Sequence, residues 1–356
     1  ASRTPGDLST TGQTAIGHRE DFGVTLPAFE LDLRGRLASL EDSARAGYLA
    51  SGEAAHAVRV VLISQVAETF LQWREMVERG RLAKSAVDAQ QEMHALAVRR
   101  VDAGVIPAQT VLRAAMTMEG MRAELAEVRR QESLAYNALQ LLTGMTPDPA
   151  LSWPALVDLG LADRTRLALP DQVLATRPDV RAAEQRLLAA NASIEAARAA
   201  FWPRILLTTG AGTASQALSG LFAGGSAAWS FLPRLDLPIF DFSRRKHELA
   251  AAAAERKALL AEYEQVVRQS YREVADALSS QGVLEESLKA LIATREAQKA
   301  RLELTRKRQE AGLDGLQELL EAQKELSLTE QQVCAARARL LNNRIRFFKA
   351  IGGGVV

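Results

Sequence analysis

The sequence has almost no surplus of charge of either sign. Its 44 lysines and arginines and 43 aspartates and glutamates leave a formal charge of +1. A protein that binds a nucleic-acid duplex usually concentrates a basic excess on one face. The charge balance therefore predicts no nucleic-acid partner.

Cysteine, aromatic residues and long apolar runs are also scarce. Cys334 is the one cysteine, so the chain cannot form a disulfide framework of its own. Aromatic residues make up 5% of the chain. No run reaches the ~18 consecutive apolar residues that are typical of a membrane-spanning helix. Taken alone, these absences favour a soluble helical protein.

Patterns for catalysis and metal binding are missing from the sequence. There is no phosphate-binding loop, nucleophile elbow or carboxylate pair with a helper base. The histidines, which have no metal-ligand spacing, are His18, His56, His94 and His247. The sequence therefore predicts that the protein is not an enzyme and has neither a metal site nor a cofactor.

Helix-forming sequence is abundant, and it is arranged in an internal repeat. Asp32 of FELDLRGR matches Asp241 of PIFDFSRR at an offset of 209. Gly104 of RRVDAGV matches Gly312 of RKRQEAGL at an offset of 208, and NALQLLTG matches IRFFKAIG at the same offset. Matches that keep nearly one offset over such a length predict a duplicated unit.

Each unit is predicted to contain strands followed by one very long helix. Residues 21–33 and 226–241 alternate apolar with small or polar side chains, which is the period of a strand with two different faces. The first pattern changes phase after Pro27. Residues 34–101 and 243–310 contain no proline. A helix of about 68 residues, at ~1.5 Å per residue, reaches roughly 100 Å.

A narrow apolar seam in the first long helix predicts coiled-coil packing. Its members follow a 3-4-3-4 spacing and are Ile63, Val66, Phe70, Trp73 and Val77. An Ala-Gly pair ends each long helix. A shorter return helix then ends at Gly144 or Gly352, the residue type that usually caps a helix C-terminus.

The return helix is too short to cover its long partner. A helix at residues 176–203, with Pro178 in its first turn and Pro203 at its end, is expected to cover the remainder of the second long helix. The unit-one copy of this helix would fall before residue 1. We therefore expect the natural protein to be longer at its N-terminus.

Together these motifs resemble the outer membrane factor family, the TolC/OprM-like channels of Gram-negative efflux systems, and most closely its NodT-type lipoprotein branch. The resemblance is carried by LPDQVLATRPDVRAAEQRLLAANASIEAARAAFWPRI, LSGLFAGGSAAWSFLPRLDLPIFD, YREVADAL, the two Ala-Gly turns and FFKAIGGG. The chain departs from the family pattern at Arg34, where an aromatic residue is usual, and in ending GGGVV rather than GGGW.

The resemblance implies a mainly α fold with β. Long coiled-coil hairpins would form a periplasmic α-barrel and strands a membrane β-barrel, both closed by trimerisation. The implied segments are strands with an outer loop (1–33), the first α-barrel hairpin (34–144), an equatorial linker (145–175), an α-barrel helix (176–203), further strands (204–242), the second α-barrel hairpin (243–352) and a C-terminal tail (353–356).

The resemblance places a gate and the adaptor contacts at the two Ala-Gly turns. The tip motif falls on Ala103, Gly104 and Val105 and on Ala311, Gly312 and Leu313. The constriction leucine and aspartate of the family fall on Gln317 and Glu321, with Glu318 beside them. Carboxylates gathered around a three-fold axis repel one another and favour cations. The alternative is that these acids form a solvated helix face.

The repeat adds Arg113 to this site. Subtracting 208 from Glu321 gives Arg113, so the two copies carry opposite charges at one position. We hypothesise that Arg113 and Glu321 alternate around the ring and pair to hold the tip shut. The alternative is that Arg113 faces solvent.

Four aromatic residues flank the predicted strand ends. They suit a girdle at the membrane interface, and buried equatorial packing is the alternative. They are Phe201, Trp202, Trp229 and Phe231.

The implied function is the outer membrane channel of a tripartite efflux system, a passive duct for small molecules such as drugs or metal ions. It would lie in the outer membrane of a Gram-negative bacterium and extend across the periplasm. The implied partners are the other copies of a homotrimer, a periplasmic adaptor protein, an inner-membrane RND pump and outer membrane lipid. The alternatives are a channel for type I protein secretion and a structural coiled-coil protein without a pore. The period-two strands and the matching turns argue against the coiled-coil protein.

Overall fold

The computed structural model describes residues 2–4, 15–146, 154–159 and 176–353, with the backbone alone at 2–4 and 15–17. The predicted linker and C-terminal tail therefore lie mostly outside the described residues.

Five helices account for most of the described chain. They are α1 (Arg36–Asp102), α2 (Ala108–Thr143), α3 (Pro178–Ala199), α4 (Arg244–Glu310) and α5 (Leu316–Ala350). The two long helices have 67 residues each, against 36 and 35 for their return helices. The predicted long helices, their unequal return helices and the separate helix that starts near Pro178 are all confirmed.

Five strands form two antiparallel sheets. A small sheet pairs β1 (Ser2–Thr4) with β2 (Ala15–Gly17). The larger sheet has the order β3 (Glu20–Leu31), β4 (Arg204–Ser215) and β5 (Ala227–Asp236).

The larger sheet confirms one detail of the sequence pattern and corrects another. The pairing of β3 with β4 shifts register between Leu26 and Phe29, which confirms the change of phase after Pro27. The prediction that the last strand reaches Asp241 is wrong, because β5 ends at Asp236. Pro238, which cannot donate a ladder hydrogen bond, follows the end of the strand closely.

The chain divides into two compact units that cut across the repeat. The sheet unit comprises Ala1–Ser51 and Ala183–Tyr263, and the tip unit comprises Gly52–Ala182 and Glu264–Val356. Each unit contains corresponding parts of both copies, so equivalent parts of the duplication pack with each other.

In the sheet unit, α3 packs between the first parts of the two long helices. Arg186 of α3 pairs with Glu262 of α4 at 2.9 Å, and Arg256 of α4 donates to Asn191 of α3 at 2.6 Å. On the other side, the hydroxyl oxygens of Ser193 and Ser43 lie 2.9 Å apart. The expectation that α3 covers part of the second long helix is confirmed.

In the tip unit, the predicted seam of α1 packs on α2. The buried Trp73 contacts Ala135 and Leu139, and the half-buried members of this cluster include Val66, Phe70 and Val77. Ile63, which the sequence pattern also places in the seam, is 51% exposed in the single chain and is not a member of this cluster.

The end of the tip unit that carries the helix turns has its own apolar cluster, to which α1, α2, α4 and α5 all contribute. Its buried members are Ala97, Ala114, Leu302, Leu316, Leu319, Leu320, Ala322 and Leu326. This cluster fixes the two helix turns relative to each other.

Within the tip unit, a short segment before α3 packs on the helices chiefly through Leu156, with Leu159 beside the same cluster. Leu156 is 2% exposed and lies in a cluster with Leu71, Cys334, Leu341 and Ile345. Its amide donates to a Glu78 carboxylate oxygen at 3.4 Å. No pattern in the sequence predicts this contact.

Among the described helices, α1 is long and apolar enough to cross a membrane by length and composition. Its most apolar window of 18 residues has a mean hydropathy of 1.3 and is 11% buried. One such helix is weak evidence for a membrane span. α1 does, however, carry exposed aliphatic side chains, among them Val58 and Leu62.

Candidate functional site

The first predicted tip turn closes α1 through a Schellman motif. Gly104 has a φ of 71°, in the left-handed region that favours glycine. The Val105 amide donates to the Arg100 carbonyl at 2.9 Å, and the Gly104 amide donates to the Val101 carbonyl at 2.8 Å. These two bonds satisfy carbonyls that would otherwise be left free at the end of a helix.

The second tip turn repeats this geometry at the predicted offset of 208 residues. Gly312 has a φ of 73°. The Leu313 amide donates to the Arg308 carbonyl at 2.8 Å, and the Gly312 amide donates to the Gln309 carbonyl at 3.1 Å. The duplication seen in the sequence is therefore a duplication of hydrogen bonds as well.

Both turns present an apolar side chain to solvent. Val105 is 68% exposed and Leu313 is 69% exposed. Val105 directly follows Ala103 and Gly104, and Leu313 directly follows Ala311 and Gly312. Each therefore lies just before the start of the next helix. The tip motifs are thus available to a partner.

Only the second turn carries an ionic clamp. Arg308 contacts both carboxylate oxygens of Asp314 at 2.8 Å. These hydrogen bonds to the guanidinium hold the pKa of Asp314 below its usual value. In the first turn the corresponding residue is Ile106, which packs against the apolar cluster at this end of the unit. Asp314 is therefore a structural brace for its turn.

Three of the four predicted gate residues form a connected chain of hydrogen bonds. Arg113 of α2 donates to the side-chain oxygen of Gln317 at 3.0 Å, and the Gln317 amide nitrogen donates to Glu321 at 3.2 Å. Within the described chain, Arg113 makes no direct ion pair with Glu321. Gln317 links the two, a role that the sequence analysis did not assign to it.

Glu318 lies apart from this chain of hydrogen bonds. It stands in the first turn of α5, whose N-cap is Gly315. A Cβ built on Gly315 would lie 2.7 Å from a Glu318 carboxylate oxygen, so the side chain folds back over the start of its own helix. A carboxylate is favoured there by the partial positive charge of the helix N-terminus.

The larger sheet of the sheet unit has one apolar face. Directly paired residues share a face, so the register defines rows across the three strands. The apolar rows are Val24–Ala211–Trp229, Leu26–Thr209–Phe231, Phe29–Leu207–Pro233 and Leu31–Ile205–Leu235. Trp229 is 81% exposed. Buried packing of Trp229 and Phe231, one of the two alternatives, does not occur within this chain.

The opposite face of the sheet is mostly small or polar, with Leu206 and Leu232 as its apolar members. Its rows are Gly23–Gly212–Ala228, Thr25–Gly210–Ser230 and Glu30–Leu206–Arg234. A Cβ built on Gly212 would lie 2.2 Å from the Phe22 carbonyl oxygen, so the close approach of β3 requires glycine there. This face has the chemistry of a water-filled channel wall.

Arg34 and Trp202 form a contact that sequence reasoning missed. The Arg34 guanidinium carbon lies 3.7 Å from the centroid of the Trp202 ring, the geometry of a cation–π interaction. Arg34 is the residue that departs from the family pattern. Arg34 lies between β3 and α1, whereas Trp202 lies between α3 and β4, so no local pattern could reveal the pair.

The described residues contain no group of three or more histidine, cysteine or acidic side chains placed to hold a metal ion. Burial raises the pKa of the Cys334 thiol to about 12, so this cysteine stays protonated and unreactive near neutral pH.

Comparison with known proteins gives a consistent match over nearly the whole chain. The family model described as "Outer membrane efflux protein" matches residues 2–145 and 169–353. The probable efflux pump outer membrane protein SepC of Pseudomonas putida is 39% identical over 352 residues, which cover 99% of this chain and 73% of that protein. The outer membrane protein OprJ of Pseudomonas aeruginosa is 38% identical, with 99% of this chain and 74% of OprJ covered.

Solved structures agree with the sequence matches. A membrane protein from Pseudomonas aeruginosa superimposes with a TM-score of 0.85 at 38% identity, over 99% of this chain and 79% of that one. The open state of the MtrE outer membrane channel of Neisseria gonorrhoeae gives a TM-score of 0.85 at 32% identity, with the same coverage. The long hairpins and the sheet described above thus have direct counterparts in these structures.

Proposed function

The chain belongs to the outer membrane efflux protein family, and from that membership we propose that three copies form the outer membrane duct of a tripartite, RND-driven efflux system. The protein is an outer membrane efflux channel with a TolC-like fold, and it extends across the periplasm. The observation that carries the proposal is the near-complete match to outer membrane components of efflux pumps.

The names of the relatives support small molecules as the exported cargo. A toluene efflux pump protein (39% identical), a solvent efflux pump protein (35%) and an antibiotic efflux pump protein (32%) are among them. We propose that this chain likewise conducts small, largely apolar compounds. As a wide passive duct, the proposed channel would catalyse no reaction.

The sheet supports assembly of several copies. Within one chain, β3 and β5 are the outer strands of the larger sheet, so each leaves a row of backbone groups without a ladder partner in that sheet. Unpaired backbone groups cost several kcal/mol each in a bilayer, so a membrane sheet must close on itself. In a closed barrel the apolar face, with Trp229 and Phe231, would meet lipid, and the face with Gly210 and Ser230 would line the pore.

The tip unit supports a polar gate. We assign its constriction to Glu321, held by Gln317 and Arg113, with Glu318 at the start of the same helix. The hydrogen bond from Arg113 to Gln317 joins the two hairpins, so moving α2 away from α5 must break it. Gln317 stands where the family pattern has a leucine. The ring that three copies would form at this level is therefore hydrogen-bonding and not apolar.

The exposed turns support contact with a periplasmic adaptor. Val105 and Leu313 are apolar and solvent-facing in this chain. Their glycines, Gly104 and Gly312, keep both turns tight. Equivalent turns from each copy would offer the adaptor a repeated set of docking points.

The central experiment is single-channel recording of the full-length protein in a planar bilayer. We expect stepwise conductance whose preference for cations falls when Glu321→Gln removes the acidic ring. A protein that inserts as an oligomer and yet never conducts, with or without this substitution, overturns the proposed duct.

Two alternatives from the sequence can now be weighed. The family match excludes the alternative of a structural coiled-coil protein without a pore. Type I protein secretion is tested by the genes beside this one and by a complementation assay. Restored solvent or antibiotic resistance in a strain without its own efflux channel supports the proposal. Restored protein export without restored resistance supports secretion.

A further inference from the structure

The small and polar face of the larger sheet carries a group of charged residues at the end where the strands join the helices. Arg204, the first residue of β4, stands in register with Asp236, the last residue of β5. The next row on this face contains Glu30 and Arg234. The rows in the middle of the face carry no charge, and they are Thr208–Leu232, Thr25–Gly210–Ser230 and Gly23–Gly212–Ala228.

Both acids of this group already have a partner other than Arg204. The Glu30 carboxylate accepts two hydrogen bonds from the Arg36 guanidinium, at 2.9 and 2.7 Å. Asp236 lies directly opposite Arg204 but accepts from Arg234 at 2.8 Å. Three arginines therefore meet two acids, and Arg204 is the cation that is left over.

The acids in the nearby strand–helix connections are also engaged. The Asp32 carboxylate accepts from backbone amides at the start of α1 at 2.7 and 2.9 Å. The Asp241 carboxylate accepts from backbone amides at the start of α4 at 3.1 and 3.4 Å. The partial positive charge of a helix N-terminus favours both carboxylates there. Arg204 is exposed, and its side chain makes no hydrogen bond or ion pair with the described residues.

The position of Arg204 in the middle strand also separates it from any strand of another copy. β4 lies between β3 and β5. Neighbouring strands are about 4.8 Å apart, so a strand that joined either edge of the sheet would run roughly 10 Å from β4. Assembly at the sheet edges therefore offers Arg204 no directly opposite acid, and its charge stays uncompensated.

An uncompensated charge on the wall of a water-filled passage changes the concentration of ions beside it. Rings of arginine or lysine favour anions, as rings of acid favour cations. Salt limits the reach of this effect to about 10 Å at 0.1 M and extends it to about 30 Å at 0.01 M. Arg204 would thus act on solutes at its own level of the sheet, whereas Glu321 carries the opposite charge in the tip unit.

We infer that Arg204, one from each copy, forms a cationic ring where the strands of the channel meet its helices. The ring attracts anionic solutes, such as halide ions and compounds that carry a carboxylate or sulfonate, to this level of the wall. The inference rests on the proposed function, because it requires that the small and polar face of the sheet line the pore of the assembled duct. Arg204 is the residue that sets charge preference here, since the Arg36–Glu30 and Arg234–Asp236 pairs are each neutral.

Charged thiol reagents test this ring in the full-length channel reconstituted in phospholipid vesicles. Leu206→Cys places a thiol on the same face as Arg204, about 7 Å along the strand. Intact-protein mass spectrometry follows its modification by an anionic reagent (sulfonatoethyl methanethiosulfonate) and a cationic one (trimethylammonioethyl methanethiosulfonate). The ratio of the two rates reports the local potential, because the reactivity of the thiol itself cancels. The channel without the new cysteine gives the baseline, since Cys334 is buried.

Adding Arg204→Gln should lower the anionic-to-cationic rate ratio at position 206 about five-fold in 10 mM salt. Arg204→Lys keeps the charge and should preserve the ratio. In 1 M salt, where the Debye length is about 3 Å, the effect of Arg204→Gln should vanish. Leu232→Cys, whose parent side chain is 62% exposed on the same face, is the second reporter in case Leu206→Cys does not assemble.

Ser230→Cys is the matched control, because it lies on the same face but about 20 Å from Arg204. Its rate ratio should change much less when Arg204→Gln is added. An unchanged ratio at position 206 refutes the ring, and so does a change that persists in 1 M salt, which would reflect altered access. A thiol at 206 that neither reagent reaches refutes it as well. Conductance of the same samples reports separately on the duct, so a conducting channel with an unchanged ratio refutes the ring alone.

Discussion

Arg113 of α2 donates a hydrogen bond to Gln317 of α5 at 3.0 Å, across a sequence separation of 204 residues. Gln317 passes the connection on to Glu321 at 3.2 Å. Arg113 and Glu321 are the two copies of one position in the repeat, so Gln317 links the two equivalent positions through its own side chain. Opening a gap between the hairpins at this level requires that Gln317 give up one of its partners.

Arg113→Glu should therefore increase the leak through the closed channel. The substitution removes the bond to Gln317 and places a second carboxylate near Glu321. Loss of one such bond weakens the closed arrangement by about 1 kcal/mol, a several-fold change in the closed-to-open ratio. The measurement is leak conductance in a planar bilayer.

Arg129→Glu is the matched control for this prediction. Arg129 is exposed on the same helix, and its side chain makes no hydrogen bond or ion pair with the described residues, so its reversal changes the net charge equally without touching the link. Equal leak from both variants would assign the effect to charge alone and would count against the link.

Leu156→Ala should destabilise the tip unit. The leucine is 2% exposed and packs against Leu71, Leu341 and Ile345, so its loss leaves a cavity. Leucine-to-alanine changes in packed cores cost about 2–5 kcal/mol. We expect a lower melting temperature in detergent and faster proteolysis near residue 156.

Val157→Ala provides the comparison for Leu156. Val157 is adjacent in sequence but 60% exposed, and exposed substitutions usually change stability by less than about 0.5 kcal/mol. A melting temperature that falls equally in both variants would show that the docked segment does not depend on the Leu156 pocket.

The clamp between Arg308 and Asp314 should make the second tip turn sensitive to acid. The pKa of Asp314 is lowered in the folded protein. Its stabilisation is therefore complete above the unfolded value, about 3.9, and is lost as the pH falls through the lower folded value. Hydrogen exchange at the Leu313 amide, corrected for intrinsic rates, should lose protection over that window.

The first tip turn is an internal control for this titration. The Val105 amide makes the corresponding bond to Arg100, but Ile106 takes the place of Asp314. Its protection should change little over the same pH window. Asp314→Asn should remove the difference between the turns, and a difference that survives this substitution would show that another group titrates.

The sequence predicted those features that depend on local pattern or on the repeat. The helix lengths, the twin turns at Gly104 and Gly312 and the phase change after Pro27 all follow from periodicity and residue type. The end of β5 at Asp236 was missed, because the alternation of apolar residues continues through Leu237 and Ile239 after the strand hydrogen bonds have stopped.

Contacts between distant segments could not be predicted in the same way. Leu156, the Arg34–Trp202 pair and the bond from Arg113 to Gln317 each join elements that no pattern within a single segment relates. The repeat did place Arg113 and Glu321 at one site. It could not show that Gln317 stands between them, since that depends on side-chain geometry in the packed tip.

Ser243→Gly should stabilise the connection between β5 and α4. Ser243 has a φ of 65°, which glycine adopts without a steric penalty. Relief of a left-handed side chain contributes about 1 kcal/mol, partly offset by the greater freedom of glycine in the unfolded chain. We expect a small rise in the melting temperature of the sheet unit and no change in conductance.

The same substitution elsewhere should have the opposite sign. Ser279 lies within α4, where glycine costs roughly 0.5–1 kcal/mol relative to a helix-forming residue. Ser279→Gly should therefore lower the melting temperature. If both variants destabilise the channel equally, the left-handed conformation at Ser243 carries no strain.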